Sequence, residues 1–141
     1  MVRRATISLL LLLAVASLAV AADFSCIEEL TVPRFSHAAR SLGGGTVVAT
    51  VNIGDNGRAK SVKFKSSRPL LTVDLEEYLV DDSRYSPRCS GANLEIMFTF
   101  QLKGPPAEDA ETVVRFVPPN HFILVSHPVL PNIDYRAPTN R

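Results

Sequence analysis

The side chains best equipped for chemistry in this chain are three histidines, two cysteines and fourteen carboxylates. His37, His121 and His127 are scattered over a helical pattern, a turn and a strand end. A serine nucleophile on a strained elbow needs Gly-x-Ser-x-Gly, and a helical zinc site needs His-x-x-x-His. The chain has neither. His121 and His127 approach one another if their segment folds back as a hairpin, but two ligands make a poor zinc site. Asp74, Glu76, Glu77, Asp81 and Asp82 have the charge for calcium but not the oxygen-rich loop with a central glycine. They read as the solvated face of a helix. Gly43, Gly44 and Gly45 follow a helix and precede a strand, the reverse of the order in which a phosphate loop is built. No catalytic residue, metal or cofactor is therefore expected, and the chain is not read as an enzyme.

Cys26 and Cys89 are too sparse for a metal site. Their chemistry depends on compartment, because a disulfide persists only where the surroundings are oxidising. The N-terminus speaks to that. Arg3 and Arg4 precede an apolar run from Ala5 to Ala22, and Val20-Ala21-Ala22 offers small residues before Asp23. A charged start, an apolar stretch and a small-residue cleavage site make residues 1–22 a secretory signal peptide. An uncleaved membrane anchor is the alternative, since the run is just long enough for a bilayer of ~30 Å. The expected localisation is the periplasm or the outside. A Cys26–Cys89 disulfide follows, closing a loop worth roughly 4 kcal/mol in the chain-entropy model. Lipid attachment at Cys26 is disfavoured by Asp23-Phe24-Ser25 directly before it.

Without Arg3 and Arg4 the 15 basic residues become 13, against 14 acidic ones. A near-neutral chain has no electrostatic footprint for nucleic acid. Lys60, Lys63 and Lys65 form a small basic stripe that reads as a solvated strand face. The length of 141 residues fits one domain, and a hydrophobic fraction of 46% suffices for a core.

The elements that position these groups centre on Thr46 to Ser67. Val47, Ala49, Val51 and Ile53 alternate with Thr46, Val48, Thr50 and Asn52, as in a strand with one buried face. Gly54-Asp55-Asn56-Gly57 can reverse the chain. The return arm alternates Val62 and Phe64 with Ser61, Lys63 and Lys65. Such a hairpin cannot stand alone in water. Ahead of it, Phe35, Ala38, Ala39 and Leu42 predict a helix that opens at Pro33 and ends at the glycines. Behind it, Leu71, Leu75, Tyr78 and Leu79 predict a helix over 70–82. Leu94, Ile96, Phe98, Phe100 and Leu102 alternate in a further strand. Val113–Val117 and Phe122–Ser126 flank Pro118-Pro119-Asn120-His121 and predict a second hairpin. Residues 23–127 thus form the domain, and residues 128–141 a proline-rich tail expected to be extended and partly disordered.

Taken in order, helix, hairpin, helix and strand resemble the TonB C-terminal domain family over residues 30–103. Pro33, Ala39 and Arg40 echo its Tyr-Pro-x-x-Ala-Arg start, with Val32 in place of the aromatic and one extra residue before Ala-Arg. Asp55, Asn56, Gly57 and Arg58 match its turn, and Ser66-Ser67 the pair that follows. Tyr85-x-Pro87 resembles its aromatic–x–Pro step, and Phe98-Thr99-Phe100 the end of its last strand. The tryptophan often found before that step is absent, and Ser83 stands near its place. The resemblance implies an α+β fold: a small antiparallel sheet with two helices packed on one face, here with an extra C-terminal β-hairpin. It implies no cofactor and a protein or peptide partner, an outer-membrane receptor segment, added as a strand to an open sheet edge in TonB-dependent transport.

Energy transduction itself fits less well. From Ala22 to Pro33 the chain reaches at most ~40 Å when stretched, and a membrane contact exists only through residues 1–22. The expected function is an exported TonB-like protein-binding module. The alternative is a stand-alone periplasmic structural domain whose sheet edge is covered by residues 113–126.

Overall fold

The computed structural model describes residues 23–131. The signal or anchor reading of residues 1–22 and all of the tail beyond Pro131 lie outside the described residues. The strands are β1 (Ile27–Glu29), β2 (Gly45–Ile53), β3 (Ala59–Ser66), β4 (Arg84–Tyr85), β5 (Asn93–Leu102), β6 (Val113–Val117) and β7 (His121–Ser126). The helices are α1 (His37–Ser41) and α2 (Val73–Glu77).

The fold is α+β. Five strands form one sheet in the order β3-β2-β5-β7-β6, and β1 and β4 form a separate antiparallel pair. The expectation of a small antiparallel sheet is corrected here. β7 runs parallel to β5, so the main sheet is mixed. The reason is spatial order. β6 does not lie beside β5 but one strand further out, and β7 turns back from β6 to fill the space between them.

The alternating residues share one apolar face. Val51 stands between Val62 and Leu94, and Ala49 between Phe64 and Ile96. Phe98 then meets Phe122, and Phe100 meets Leu124. Leu71, Leu75, Leu79, Phe35 and Ala39 are buried in the same core. Burying each large side chain contributes ~1.5–3 kcal/mol.

Both helices are shorter than their apolar spacing suggests. The first was expected to open at Pro33. Instead Ser36 is extended, and its side chain accepts from the Ala39 N–H as the N-cap, so α1 starts at His37. A hydroxyl that satisfies a first-turn amide sets a helix start more firmly than apolar spacing does. Phe35 is left outside the helix, with its N–H donating to Thr112 Oγ1 and its ring edge-on to Phe100 at 5.1 Å.

The second helix divides into a 3-10 turn (Pro69–Thr72), α2 and a π-turn (Tyr78–Asp82). Thr72, Val73 and Val80 are β-branched and hold regular helix weakly. Burial of Leu71, Leu75 and Leu79 keeps the segment against the sheet regardless.

The Cys26–Cys89 disulfide spans 63 residues and ties the start of the described chain to the segment after β4. Replacing both cysteines by serine is expected to lower unfolding free energy by about 2–4 kcal/mol. Urea unfolding of both forms, with the slope fitted separately for each because the unfolded chain without the bridge is less compact, measures it.

Candidate functional site

Most of the residues singled out by the family resemblance gather in two places. The first is the tip of the β2–β3 hairpin. Gly57 has φ +73°, and a Cβ there would stand 2.8 Å from the Tyr85 carbonyl oxygen. Only a residue without a side chain allows that approach and that backbone. The Tyr85 N–H donates to the Gly57 carbonyl at 2.8 Å. Pro87 lies against the same glycine. Asp55 accepts a hydrogen bond from Ser90, next to Cys89.

Tyr85 is fully buried, and its hydroxyl donates to the Leu79 carbonyl at 2.8 Å. Burial pushes its phenol up to about 12, against a smaller downward pull from a Ser83 hydrogen bond. Ser83 is also fully buried. It donates to the Tyr78 carbonyl and accepts from the Thr31 N–H, so its hydroxyl takes part in two hydrogen bonds.

The second place is Arg40, which is 5% exposed. Its Nε donates to the His127 carbonyl at 2.7 Å, its Nη1 to Glu108 at 3.1 Å, and its Nη2 to Pro128 at 3.1 Å and to Ala107. The planar guanidinium offers five donors in a fixed fan, which an ammonium cannot reproduce. Ala39 is buried beside it, and Pro33 is also buried. Ser66 is spent locally, donating to the Arg68 carbonyl and accepting from the Arg68 N–H. Most of these motif residues are tied into the fold, and the exposed Asp55 carboxylate is engaged by the Ser90 hydroxyl.

The remaining chemistry is dispersed. His121 Nε2 hydrogen-bonds Thr99 Oγ1 at 2.8 Å, and His127 Nδ1 donates to the Pro105 carbonyl at 2.9 Å. Among the described residues no group of three or more His, Cys, Asp or Glu is placed to share a metal ion. An open cleft of about 750 Å³ lies between residues 34–40 and the loop 108–112. Its two hydroxyls, Ser36 and Thr112, both accept from backbone amides.

What the sheet offers the outside is its edges. β3, at one end, carries Lys60, Lys63 and Lys65, the charged side chains that keep an edge from pairing. The outer side of β5 is filled by β7. β6, at the other end, is different: all five of its residues are exposed, and four of them are apolar. Val113 is 63% exposed and Phe116 41%. Phe116 stacks on Phe24 at 4.8 Å and lies 4.9 Å from Phe122, forming an aromatic rim beside the core.

The backbone direction at this edge follows from alternation. The Ser126 carbonyl accepts from Lys103 N, so Ser126 faces β5 and Val125 faces β6. Val113, Arg115 and Val117, opposite Val125, Ile123 and His121, therefore bond to β7. The N–H and C=O of Val114 and Phe116 point away from the sheet. Sequence alternation did not single out this edge, although Phe122-Ile123-Leu124-Val125 carries a legible signal. An unbroken apolar run marks a strand covered on both sides, which makes β7 the inner arm and β6 the outer.

Comparison with protein-family models, with curated proteins and with solved structures finds no match for this chain.

Two outcomes are expected. Arg40→Ala leaves several carbonyls without their donor and costs about 3 kcal/mol of stability, with Arg40→Lys intermediate. Urea unfolding measures the loss, and faster amide exchange in 103–112 locates it. Separately, the Tyr85 phenol is harder to ionise folded than unfolded, so the folded state holds its proton over the window from about 10 to about 12. Stability is full below pH 10 and falls as pH rises through that window. A Tyr85→Phe variant lacks that part of the alkaline slope in urea titrations at stepped pH.

Proposed function

We propose that this chain is an exported, TonB-like binding module that takes an extended segment of a protein partner as an added strand on β6. One observation carries the reading: among the described residues the outer edge of β6 pairs with no other strand, and it is apolar and exposed, at the end of a sheet whose other end is guarded by lysines. Strand addition needs only free backbone donors and acceptors on an edge, with alternate side chains giving selectivity. Val114 and Phe116 supply the backbone groups. The family resemblance supports the same mode of binding and names an outer-membrane receptor segment as partner, in TonB-dependent transport. The edge differs from the one the resemblance suggests, because β7 occupies the outer side of β5. The disulfide and the signal-like residues 1–22 support an oxidising destination, the periplasm or the outside.

A second reading has its own support. β7 buries Phe122, Ile123 and Leu124 while covering β5, as a stand-alone structural domain with a closed edge requires.

Isothermal calorimetry of the purified protein with receptor plug segments tests the first reading. Binding is expected, together with slowed exchange of the Val114 and Phe116 amides. Val114→Pro removes an outward N–H, which an edge strand tolerates. It is expected to keep the fold and abolish binding. Slow exchange of both amides in the free protein, with no heat on titration, is the outcome that favours the structural domain.

A further inference from the structure

We propose that the strand received by β6 carries a carboxylate opposite Arg115, flanked on the same side by apolar residues. This rests on the strand-addition reading and specifies the chemistry of the partner.

Arg115 sits at the centre of the five-residue edge. In the ladder it stands opposite Ile123, and Val113 and Val117 stand opposite Val125 and His121. The exposed Arg115 is thus set among Val113, Val117, Ile123 and Val125 on one face of the edge, with His121 at one end of it. The next charges along the strand are the carboxylates Glu108, Asp109 and Glu111, in the loop before it. They lie at one end and disfavour acidic residues in a partner there. On the core side, Val114 and Phe116 with Phe24 form an apolar rim.

The backbone decides how strongly Arg115 selects. Val114 and Phe116 offer the outward hydrogen bonds, so an antiparallel partner pairs with them. The residue opposite Arg115 then falls in a non-hydrogen-bonded pair, where Cα atoms approach to about 4.5 Å and side chains are closest. Opposite charges at such a position are favourable, and like charges are unfavourable. The same geometry disfavours a second copy of the chain. Full antiparallel overlap of two β6 strands about Arg115 places the two arginines in that close pair. The edge is therefore matched to a foreign strand that is apolar at the positions beside Val113 and Val117 and acidic between them.

The test uses two capped nine-residue peptides with valine at odd and threonine at even positions. The central valine is replaced by aspartate in one and by lysine in the other. Calorimetry with the purified protein is expected to show the aspartate peptide binding about fivefold tighter. An Arg115→Glu variant, its fold verified by circular dichroism, is expected to reverse the order. Equal binding of the two peptides, with the Val114 and Phe116 amides protected, overturns the charge pairing and leaves strand addition standing. Absence of binding by both peptides overturns strand addition as well. A dimer of the free protein in sedimentation, dispersed by Val114→Pro, also overturns the proposal, because β6 is then taken by a second copy.

Discussion

Arg40 is a buried cation whose four hydrogen bonds all go to backbone carbonyls. Burying a charge is costly unless its donors are satisfied, and here they converge on two chain segments far from α1 in sequence. Residues 107–108 belong to the loop that leaves β5, and residues 127–128 follow β7. One side chain thus fastens both ends of the β6–β7 excursion to the helix. That excursion must carry the chain past the position beside β5, turn, and return to fill it. Arg40 holds the base of this excursion, while burial of Phe122, Ile123 and Leu124 favours β7 over β6 as the strand beside β5.

The opposite end of the sheet is held by a different device. The tip of the β2–β3 hairpin has no side chain at Gly57, so the backbone of Tyr85 comes down onto it. Tyr85 then fills the core beneath the π-turn with its hydroxyl on the Leu79 carbonyl. The β1–β4 pair and the Cys26–Cys89 bridge lie over the same region. Both ends are closed by backbone hydrogen bonds from a few committed residues, and the middle by apolar packing. Short, irregular helices suffice as a roof because they are held by what they bury, not by their own propensity.

Closing the fold in this way moves the free edge. A three-stranded core would leave β3 and β5 open. Insertion of β7 satisfies β5 and transfers the unpaired backbone to β6, which is short, apolar and broken by one charge. An edge of that kind is an aggregation hazard unless guarded or used. Arg115 guards it against its own copy, and the proposed partner chemistry is the complement of that guard.

Much of this was legible in the amino-acid sequence. Alternation in Val47–Ile53, Val62–Phe64 and Leu94–Leu102 placed the correct side chains on the buried face, because a period of two is a property of the strand itself. Gly57 and the cysteines announced a turn and a cross-link. Apolar spacing places the start of α1 too early, because the cap at Ser36 outweighs it. The unbroken apolar run Phe122–Val125 marks β7 as the strand beside β5, but no local pattern gives its parallel direction there. The Arg40 hydrogen bonds, between residues 67–88 positions apart, fasten the resulting arrangement at its base. Local pattern determined the faces, and only tertiary packing decided the edges, since an edge is defined by the neighbour that is missing.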